Sequence, residues 1–128
     1  IKALILGSGG CSKAVQQAIT KLGIEFKIVS RDKANGDYSY EEINANHKEI
    51  ADSHLVINTT PLGMFPNTDS MPALDLDHLM KDHYVYDLIY NPARTKFLQK
   101  AEMCGATIKN GLEMLHIQAE KSWQIWNN

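Results

Sequence analysis

The sequence has little that would support a disulfide scaffold or a zinc finger. It contains only two cysteines, Cys11 and Cys104, with no CxxC pair and no histidine at metal-ligand spacing. This usage predicts two reduced thiols in a cytoplasmic protein. The histidines share no common spacing, so we expect surface or hydrogen-bonded positions rather than a metal site. They are His47, His54, His78, His83 and His116.

Long apolar runs and an excess of charge of one sign are also missing. No stretch is long enough to span a membrane, and no secretory signal pattern is present. The net charge is −2 with both signs scattered along the chain, which argues against a nucleic-acid-binding surface. We therefore expect a cytoplasmic protein with neither nucleic acid nor membrane as a partner. The oligomeric state stays open.

Short apolar runs alternate with segments of helical periodicity. The pattern predicts strands at 1–6, 26–29, 38–40, 55–58, 84–89 and 106–109, and helices at 11–22, 41–51, 95–104 and 111–127. This alternation indicates an α/β fold, a doubly wound, mostly parallel Rossmann-like sheet of about six strands with helices on both faces. The stretch between Arg31 and Leu55 is short, which predicts a trimmed crossover after the second strand.

All 128 residues fit one domain of ordinary size. The chain starts without Met, directly in the apolar run Ile1–Leu6. Because natural N-termini rarely open inside a core strand, we expect a domain cut from a longer protein.

A glycine-rich turn connects the first strand to the first helix. Glycines allow a tight turn and a close approach to a pyrophosphate, whose charge the helix N-terminus stabilises. The third glycine of the usual dinucleotide fingerprint would fall at position 12, where this chain has Ser12. The turn still predicts a dinucleotide site that includes Gly7, Ser8, Gly9, Gly10 and Cys11.

The end of the second strand indicates which dinucleotide is bound. An acidic residue there would accept hydrogen bonds from the adenosine ribose, whereas an arginine would pair with a 2′-phosphate. The sequence has Ser30, Arg31, Asp32 and Lys33 at this point. Two cations around one carboxylate favour NADP, and we assign Arg31 to the cofactor. The role of Asp32 stays open, and with it NAD as an alternative.

Several spaced motifs together resemble the C-terminal cofactor domain of shikimate dehydrogenases, over essentially the whole chain. Generic dinucleotide folds lack the last two motifs, which makes these the specific ones. The motifs are Gly7-x-Gly9-Gly10-x-x-x-Ala14, Ser30-Arg31-Asp32 (Asn-Arg-Thr in the family), Asn58-Thr59-Thr60-Pro61-Leu62-Gly63-Met64, Asp87-Leu88-Ile89-Tyr90-Asn91-Pro92 followed by Thr95, and Gly111-Leu112-x-Met114-Leu115-x-x-Gln118-Ala119.

The resemblance implies an enzyme that uses NADPH to reduce 3-dehydroshikimate reversibly to shikimate, in aromatic amino-acid biosynthesis. In the family a lysine and an aspartate of the preceding domain carry the acid–base chemistry, so we expect no catalytic residue and no activity in this chain alone. The implied cofactor residues include Asn58, Thr59 and Thr60. Leu88, Gly111 and Met114 match positions near the nicotinamide, and Tyr90 and Gln118 match positions that border the substrate.

Alternatives to this interpretation stay open at the level of the sequence. Without the resemblance, the residues themselves favour a sheet-edge cap for Tyr90, a core position for Met114 and a solvated position for Gln118. Asp32 keeps open an NAD-using enzyme acting on quinate or a related hydroxy acid. A stand-alone nucleotide-sensing or protein-interaction module is a further hypothesis, although Tyr90 and Gln118 are useful only beside a substrate.

Overall fold

The computed structural model describes residues 2–89 and 91–111. In this part of the chain five parallel strands form one sheet in the order β2-β1-β3-β4-β5. The strands are β1 (Lys2–Leu6), β2 (Glu25–Val29), β3 (Leu55–Asn58), β4 (Tyr84–Asp87) and β5 (Thr107–Lys109). The helices are α1 (Gly10–Lys21), α2 (Tyr40–Ala45), α3 (His47–Asp52) and α4 (Lys96–Met103), with a 3-10 turn at Lys33–Asn35.

Both faces of the sheet are covered, which explains why the central strands β1 and β3 are largely apolar and buried, whereas the edge strands β2 and β5 carry exposed side chains such as Glu25, Lys27 and Lys109. In β1, Leu4 and Leu6 point to one face, and Ala3 and Ile5 point to the other. The first face packs against α2, α3, α4 and the segment before β4, through side chains that include Ile43, Ile50, Leu74, Leu76, Leu79, Phe97 and Leu98. The second face packs against α1 through Val15 and Ile19. The predicted fold class is confirmed.

The predicted strand at 38–40 is wrong, and the described sheet therefore has five strands where about six were predicted. Tyr38 makes only one parallel bridge, to Val29. The chain then leaves the sheet because Ser39 begins a helix. Its side chain accepts from the backbone N–H of Glu42, and the Glu42 carboxylate accepts from the backbone N–H of Ser39. This reciprocal capping box makes Tyr40 the first residue of α2.

The single helix predicted at 41–51 is two helices, because Asn46 interrupts it. The Asn46 backbone is non-helical, and its side-chain oxygen accepts from the N–H of Glu49 at 3.2 Å. Asn46 thus ends α2 and caps α3. The crossover between β2 and β3 consists of the 3-10 turn and these two short helices. The predicted last helix lies outside the described residues, except for Gly111.

The order of the strands locates the region where a ligand would bind. From β1 the chain crosses to β2 on one side of the sheet, and then returns to β3 on the other side of β1. In open α/β sheets ligands lie beyond the carboxyl ends of the strands at such a reversal. Leu6 and Asn58, which pair in register, mark those ends here. Among the described residues no helix combines the length and the apolar character that crossing a membrane requires.

Candidate functional site

A cleft of about 480 Å³ lies at the reversal of strand order. It is formed by the loops that follow β1, β2 and β3, so three separate segments of the chain meet there. Eight of the predicted cofactor residues line it. The lining consists of Gly7, Ser8, Gly9, Ser30, Arg31, Asp32, Asn35, Tyr40, Thr59, Thr60, Pro61 and Leu62.

Gly7 allows the loops after β1 and β3 to pack directly together. Its φ of +110° lies in the left-handed region, which side chains disfavour. A Cβ added at this position would lie 2.5 Å from the hydroxyl oxygen of Thr59. Thr59 is itself fixed, because its backbone N–H and its hydroxyl both donate to the carbonyl of Leu6, at 2.9 and 2.6 Å. A glycine is therefore required at the base of the cleft.

Gly9 and Gly10 leave open space at the start of α1. No atom of the described residues lies within 4 Å of a Cβ added at either position. Gly9 is the N-cap and offers no side chain to the amides of the first turn. The N-cap therefore supplies no acceptor to those amides, and the helix dipole favours a negatively charged ligand in its place. This arrangement fits a pyrophosphate.

Ser12 explains why the usual third glycine is dispensable here. That glycine normally allows a helix to pack closely on its strand. Ser12 is fully buried in α1 and accepts a 3.1 Å hydrogen bond from Gln16. A small side chain with a satisfied hydroxyl thus occupies the position.

The carboxylate of Asp32 is directed into its own turn. It accepts hydrogen bonds from the backbone N–H of Ala34 at 3.0 Å and from the Asn35 amide at 3.4 Å, and so caps the 3-10 turn. Lys33 pairs with Glu42 at 2.8 Å. Arg31, by contrast, is exposed and lines the cleft. The cleft therefore presents the Arg31 guanidinium beside a carboxylate that is hydrogen-bonded within its own turn.

Tyr40 is a cleft residue that the sequence did not indicate. Its hydroxyl is buried and has no hydrogen-bond partner among the described residues. Burial raises the pKa of Tyr40 to about 12, against the opposing effect of the nearby Arg31 charge. A buried unpaired donor costs free energy, and a shift of this side chain, which lines the cleft, would let the hydroxyl donate to an acceptor brought by a ligand. The capping-box spacing of Ser39 and Glu42 was the signal that would have put Tyr40 at a helix start.

Asn58 lies beneath the cleft rather than in its lining. It is fully buried, and its side-chain oxygen accepts from the N–H and the hydroxyl of Thr60, at 3.0 and 2.7 Å. Its amide donates to the Asp87 carboxylate at 3.1 Å. Asp87 also accepts from the Thr95 hydroxyl and the Ile89 N–H. Burial raises the pKa of Asp87, although these three donors oppose that shift. The network fixes the loops after β3 and β4.

A second cleft of about 450 Å³ adjoins the first along Thr59, Thr60 and Pro61. Its remaining lining is Cys11, Met64, Phe65, Leu88, Ile89 and Asn91. Gly111 packs on the wall of this cleft, because an added Cβ would overlap the carbonyl of Leu88. The Gly111 N–H donates to the Ile89 carbonyl at 3.2 Å. Cys11 and Cys104 are both free thiols.

The structure thus brings most of the predicted cofactor residues to two adjoining clefts. Gly10 begins α1, Asn58 supports the cleft from below, and Gly111 supports Leu88. Three predicted positions, Tyr90, Met114 and Gln118, lie outside the described residues.

Comparison with known proteins identifies shikimate dehydrogenases as relatives of this chain. No protein-family model matches the chain. It is 39% identical to the shikimate dehydrogenase (NADP(+)) of Methanococcus aeolicus over 96% of its length, and 39% identical to that of Carboxydothermus hydrogenoformans over 98%. It spans 48% and 49%, or about half, of these two relatives.

A solved structure supports the same relationship. Shikimate 5-dehydrogenase from Listeria monocytogenes, in complex with shikimate and NAD, matches with a TM-score of 0.72 and 28% identity. The match covers 98% of this chain and 50% of that one. The resemblance indicated by the motifs is therefore confirmed: the chain is homologous, over nearly its whole length, to about half of a shikimate dehydrogenase.

Proposed function

We propose that this chain is the NADP-binding domain of a shikimate dehydrogenase, and that the whole protein interconverts 3-dehydroshikimate and shikimate. The observation that carries the proposal is the cleft at the reversal of strand order, which the glycine turn and Arg31 line together. Relatives named as NADP(+) enzymes support the choice of cofactor. The proposed setting is cytoplasmic aromatic amino-acid biosynthesis.

The first cleft would hold the adenosine and phosphate end of the cofactor. The amides after Gly9 would donate to the pyrophosphate, and the space around Gly9 and Gly10 lets the backbone approach it. Arg31 would pair with the 2′-phosphate, since a guanidinium binds phosphate through two parallel hydrogen bonds. Asp32 is kept from opposing that charge directly by the hydrogen bonds it accepts within its own turn.

The second cleft would hold the nicotinamide end. Leu88 offers an apolar wall, which Gly111 holds in place from behind. When bound, NADP would supply the hydride chemistry of the reaction. Met114 near the ring, and Tyr90 and Gln118 beside the substrate, remain proposals that the family resemblance supports.

We propose further that the catalytic lysine and aspartate belong to a second domain, as in the family that the chain resembles. Hydride transfer requires a ketone held against the nicotinamide in a closed cleft. This chain would provide the cofactor wall of that cleft, so by itself it should bind cofactor without catalysing turnover. Shikimate dehydrogenase activity of the isolated chain would contradict this division of roles.

Calorimetric titration of the chain with NADP+ and NAD+ tests the cofactor assignment. We expect NADP+ to bind at least about tenfold more tightly, since charge-assisted bonds to one phosphate contribute about 1.5–3 kcal/mol. In Arg31→Gln the preference should disappear through weaker NADP+ binding, with NAD+ binding unchanged. Arg94→Gln is the matched control, because Arg94 pairs with Glu102 and lies outside the cleft lining.

The opposite result would identify a different enzyme. Tighter NAD+ binding, lost in Asp32→Asn, would place that carboxylate on the ribose and favour an NAD-using quinate or shikimate dehydrogenase. Failure of both nucleotides to bind would contradict the proposal for the chain as it stands.

A further inference from the structure

Two histidines and an aspartate come together on the sheet face that carries α2, α3 and α4. His47 begins α3, whereas Asp75 and His78 belong to the segment before β4. The imidazole rings of His47 and His78 stack with centroids 4.0 Å apart. The Nε2 atom of His78 lies 3.7 Å from a carboxylate oxygen of Asp75. One potential ligand atom from each residue lies within 4.8 Å of the other two.

The backbone that carries Asp75 is fixed to α2 by Asn44. The Asn44 amide donates to the carbonyl of Ala73 at 2.7 Å, and its oxygen accepts from the N–H of Asp75 at 2.8 Å. The Asp75 carboxylate accepts from the N–H of Asp77 at 3.0 Å with its other oxygen, Oδ1. Oδ2 is the atom that faces His78. Buried leucines anchor the same segment in the core: Leu74, Leu76 and Leu79.

We propose that His47, Asp75 and His78 bind a divalent transition-metal ion of the zinc class. Two imidazole nitrogens and one carboxylate oxygen form a ligand set that zinc accepts, with bonds of about 2.0–2.2 Å. Such bonds place ligand atoms roughly 3.4 Å apart, so the three side chains, whose ligand atoms lie within 4.8 Å of one another, must rotate closer and the stacked rings must tilt to converge on an ion. Nitrogen ligands disfavour magnesium and calcium, which prefer oxygen. His47 is exposed, so water can complete the coordination shell.

The ion would tie the long connection between β3 and β4 to α3. Asp75 and His78 lie in that connection, which has neither helix nor strand in the described structure, and His47 supplies the ligand from the crossover. An ion held by both segments binds the folded chain better than the unfolded one, and so stabilises the fold. The three ligands are separate from the residues that line the two clefts. The proposed metal site is therefore distinct from the proposed cofactor site.

The lack of a common spacing among the histidines predicted no shared metal site. The structure shows that the fold, rather than the spacing, brings His47 and His78 together. His83, by contrast, does not belong to the cluster and makes hydrogen bonds in the core. It is buried, its Nδ1 accepts from the N–H of Met80 at 2.9 Å, and its Nε2 lies 2.9 Å from the carbonyl of Ala51. That histidine is hydrogen-bonded in the core, as predicted.

The test is calorimetric titration of the tag-free chain with ZnCl2 after EDTA treatment and dialysis, because a histidine tag would itself bind the ion. We expect one equivalent to bind and the melting temperature to rise. In His78→Ala and in His47→Ala the affinity should fall at least tenfold. The matched control is His54→Ala, since His54 is exposed and outside the cluster. Melting temperatures in EDTA check that each variant folds.

A titration with CoCl2 identifies the ligands, because visible absorption reports nitrogen and oxygen coordination separately from thiolate coordination. We expect spectra without thiolate charge transfer. The proposal is overturned if the chain binds no ion at millimolar concentration. It is equally overturned if both histidine variants bind like the unmodified chain, since the ion would then lie elsewhere, for example at the exposed Cys11.

Discussion

The hydroxyl of Thr95 donates a 2.7 Å hydrogen bond to the carboxylate of Asp87, and both side chains are fully buried. The same hydroxyl oxygen accepts from the backbone N–H of Leu98 at 3.2 Å and so caps α4. One side chain therefore joins the end of β4 to the start of α4. This junction is connected to the second cleft, because Asp87 also accepts a hydrogen bond from the N–H of Ile89, a residue of the cleft lining.

We expect Thr95→Val to lower the free energy of unfolding by about 2–4 kcal/mol. The change removes a helix cap, which contributes about 1 kcal/mol, and leaves a buried carboxylate oxygen without a donor, which costs about 1–3 kcal/mol. Thr95→Ser keeps the hydroxyl and should lose less than about 1.5 kcal/mol. Urea unfolding measures both. Equal losses in the two variants would mean that packing, and not the hydroxyl, holds the junction together.

Asp87 should make the stability of the protein fall as pH rises. Burial raises the pKa of Asp87 in the folded state. A carboxyl with a raised folded pKa favours folding while it is protonated, below its unfolded pKa, and this contribution is lost as pH rises through the folded pKa. The loss is about 1.4 kcal/mol for each unit between the two pKa values.

The matched variant is Asp87→Asn, which cannot ionise. We expect the stability of the unmodified chain, relative to this variant, to decrease from about pH 4 towards neutrality. Urea unfolding across that pH range measures the difference. Because the change of pH slope is the readout, a constant loss from altered hydrogen bonds does not affect the conclusion. A relative stability that rises with pH would mean that the three donors to the carboxylate outweigh its burial.

The central strands of the sheet could be predicted because they are short and apolar on both faces. The run Leu4–Leu6 and the run Val56–Ile57 have no other stable position than a covered sheet. The glycine turn was equally clear, since its position after a first strand is a local property of the sequence. Both features are determined by residues that are adjacent in the sequence, so they can be predicted from it directly.

The direction of individual polar side chains could not be predicted. Asp32 could have faced the ribose or its own turn, and only the geometry of Ala34 and Asn35 decides. Asn58 matched a cofactor motif, yet its amide bonds with Asp87, on the neighbouring strand. The first choice depends on the geometry of a local turn and the second on a contact between distant segments, and apolar periodicity encodes neither.

The same substitution should destabilise the protein at Gly7 but not at Gly9. Gly7→Ala places a Cβ 2.5 Å from the Thr59 hydroxyl oxygen at a φ of +110°. We expect it to lower the free energy of unfolding by about 2 kcal/mol or more, or to prevent folding. Gly9 has an ordinary φ of −82° and open space around an added Cβ. Gly9→Ala should therefore keep the stability within about 1 kcal/mol.

Cofactor binding should nevertheless suffer in Gly9→Ala. If the pyrophosphate lies against the turn, the new methyl group occupies part of its position, and NADP+ affinity should fall at least tenfold. Thermal melting and calorimetry on the same sample separate the two effects. Unchanged NADP+ affinity in a folded Gly9→Ala protein would place the phosphates elsewhere.

Tyr40→Phe should leave the free chain as stable as before, or more stable by up to about 1 kcal/mol. The hydroxyl is buried without a partner among the described residues, so removing it ends an uncompensated desolvation without breaking a hydrogen bond. Its aromatic ring packs against the core and is retained. A clear loss of stability would show that the hydroxyl is hydrogen-bonded in the free protein.

The same variant should bind NADP+ more weakly, by about three- to tenfold, because the ligand then loses one donor beside Arg31. The measurement is calorimetry, with Tyr38→Phe as the control, since Tyr38 packs against the same core and does not line the cleft. If Tyr40→Phe is more stable and binds NADP+ more weakly, the Tyr40 hydroxyl has no hydrogen-bond partner in the free protein and gains one when the ligand binds. Stability gained without loss of affinity would leave the hydroxyl of Tyr40 with no part in binding.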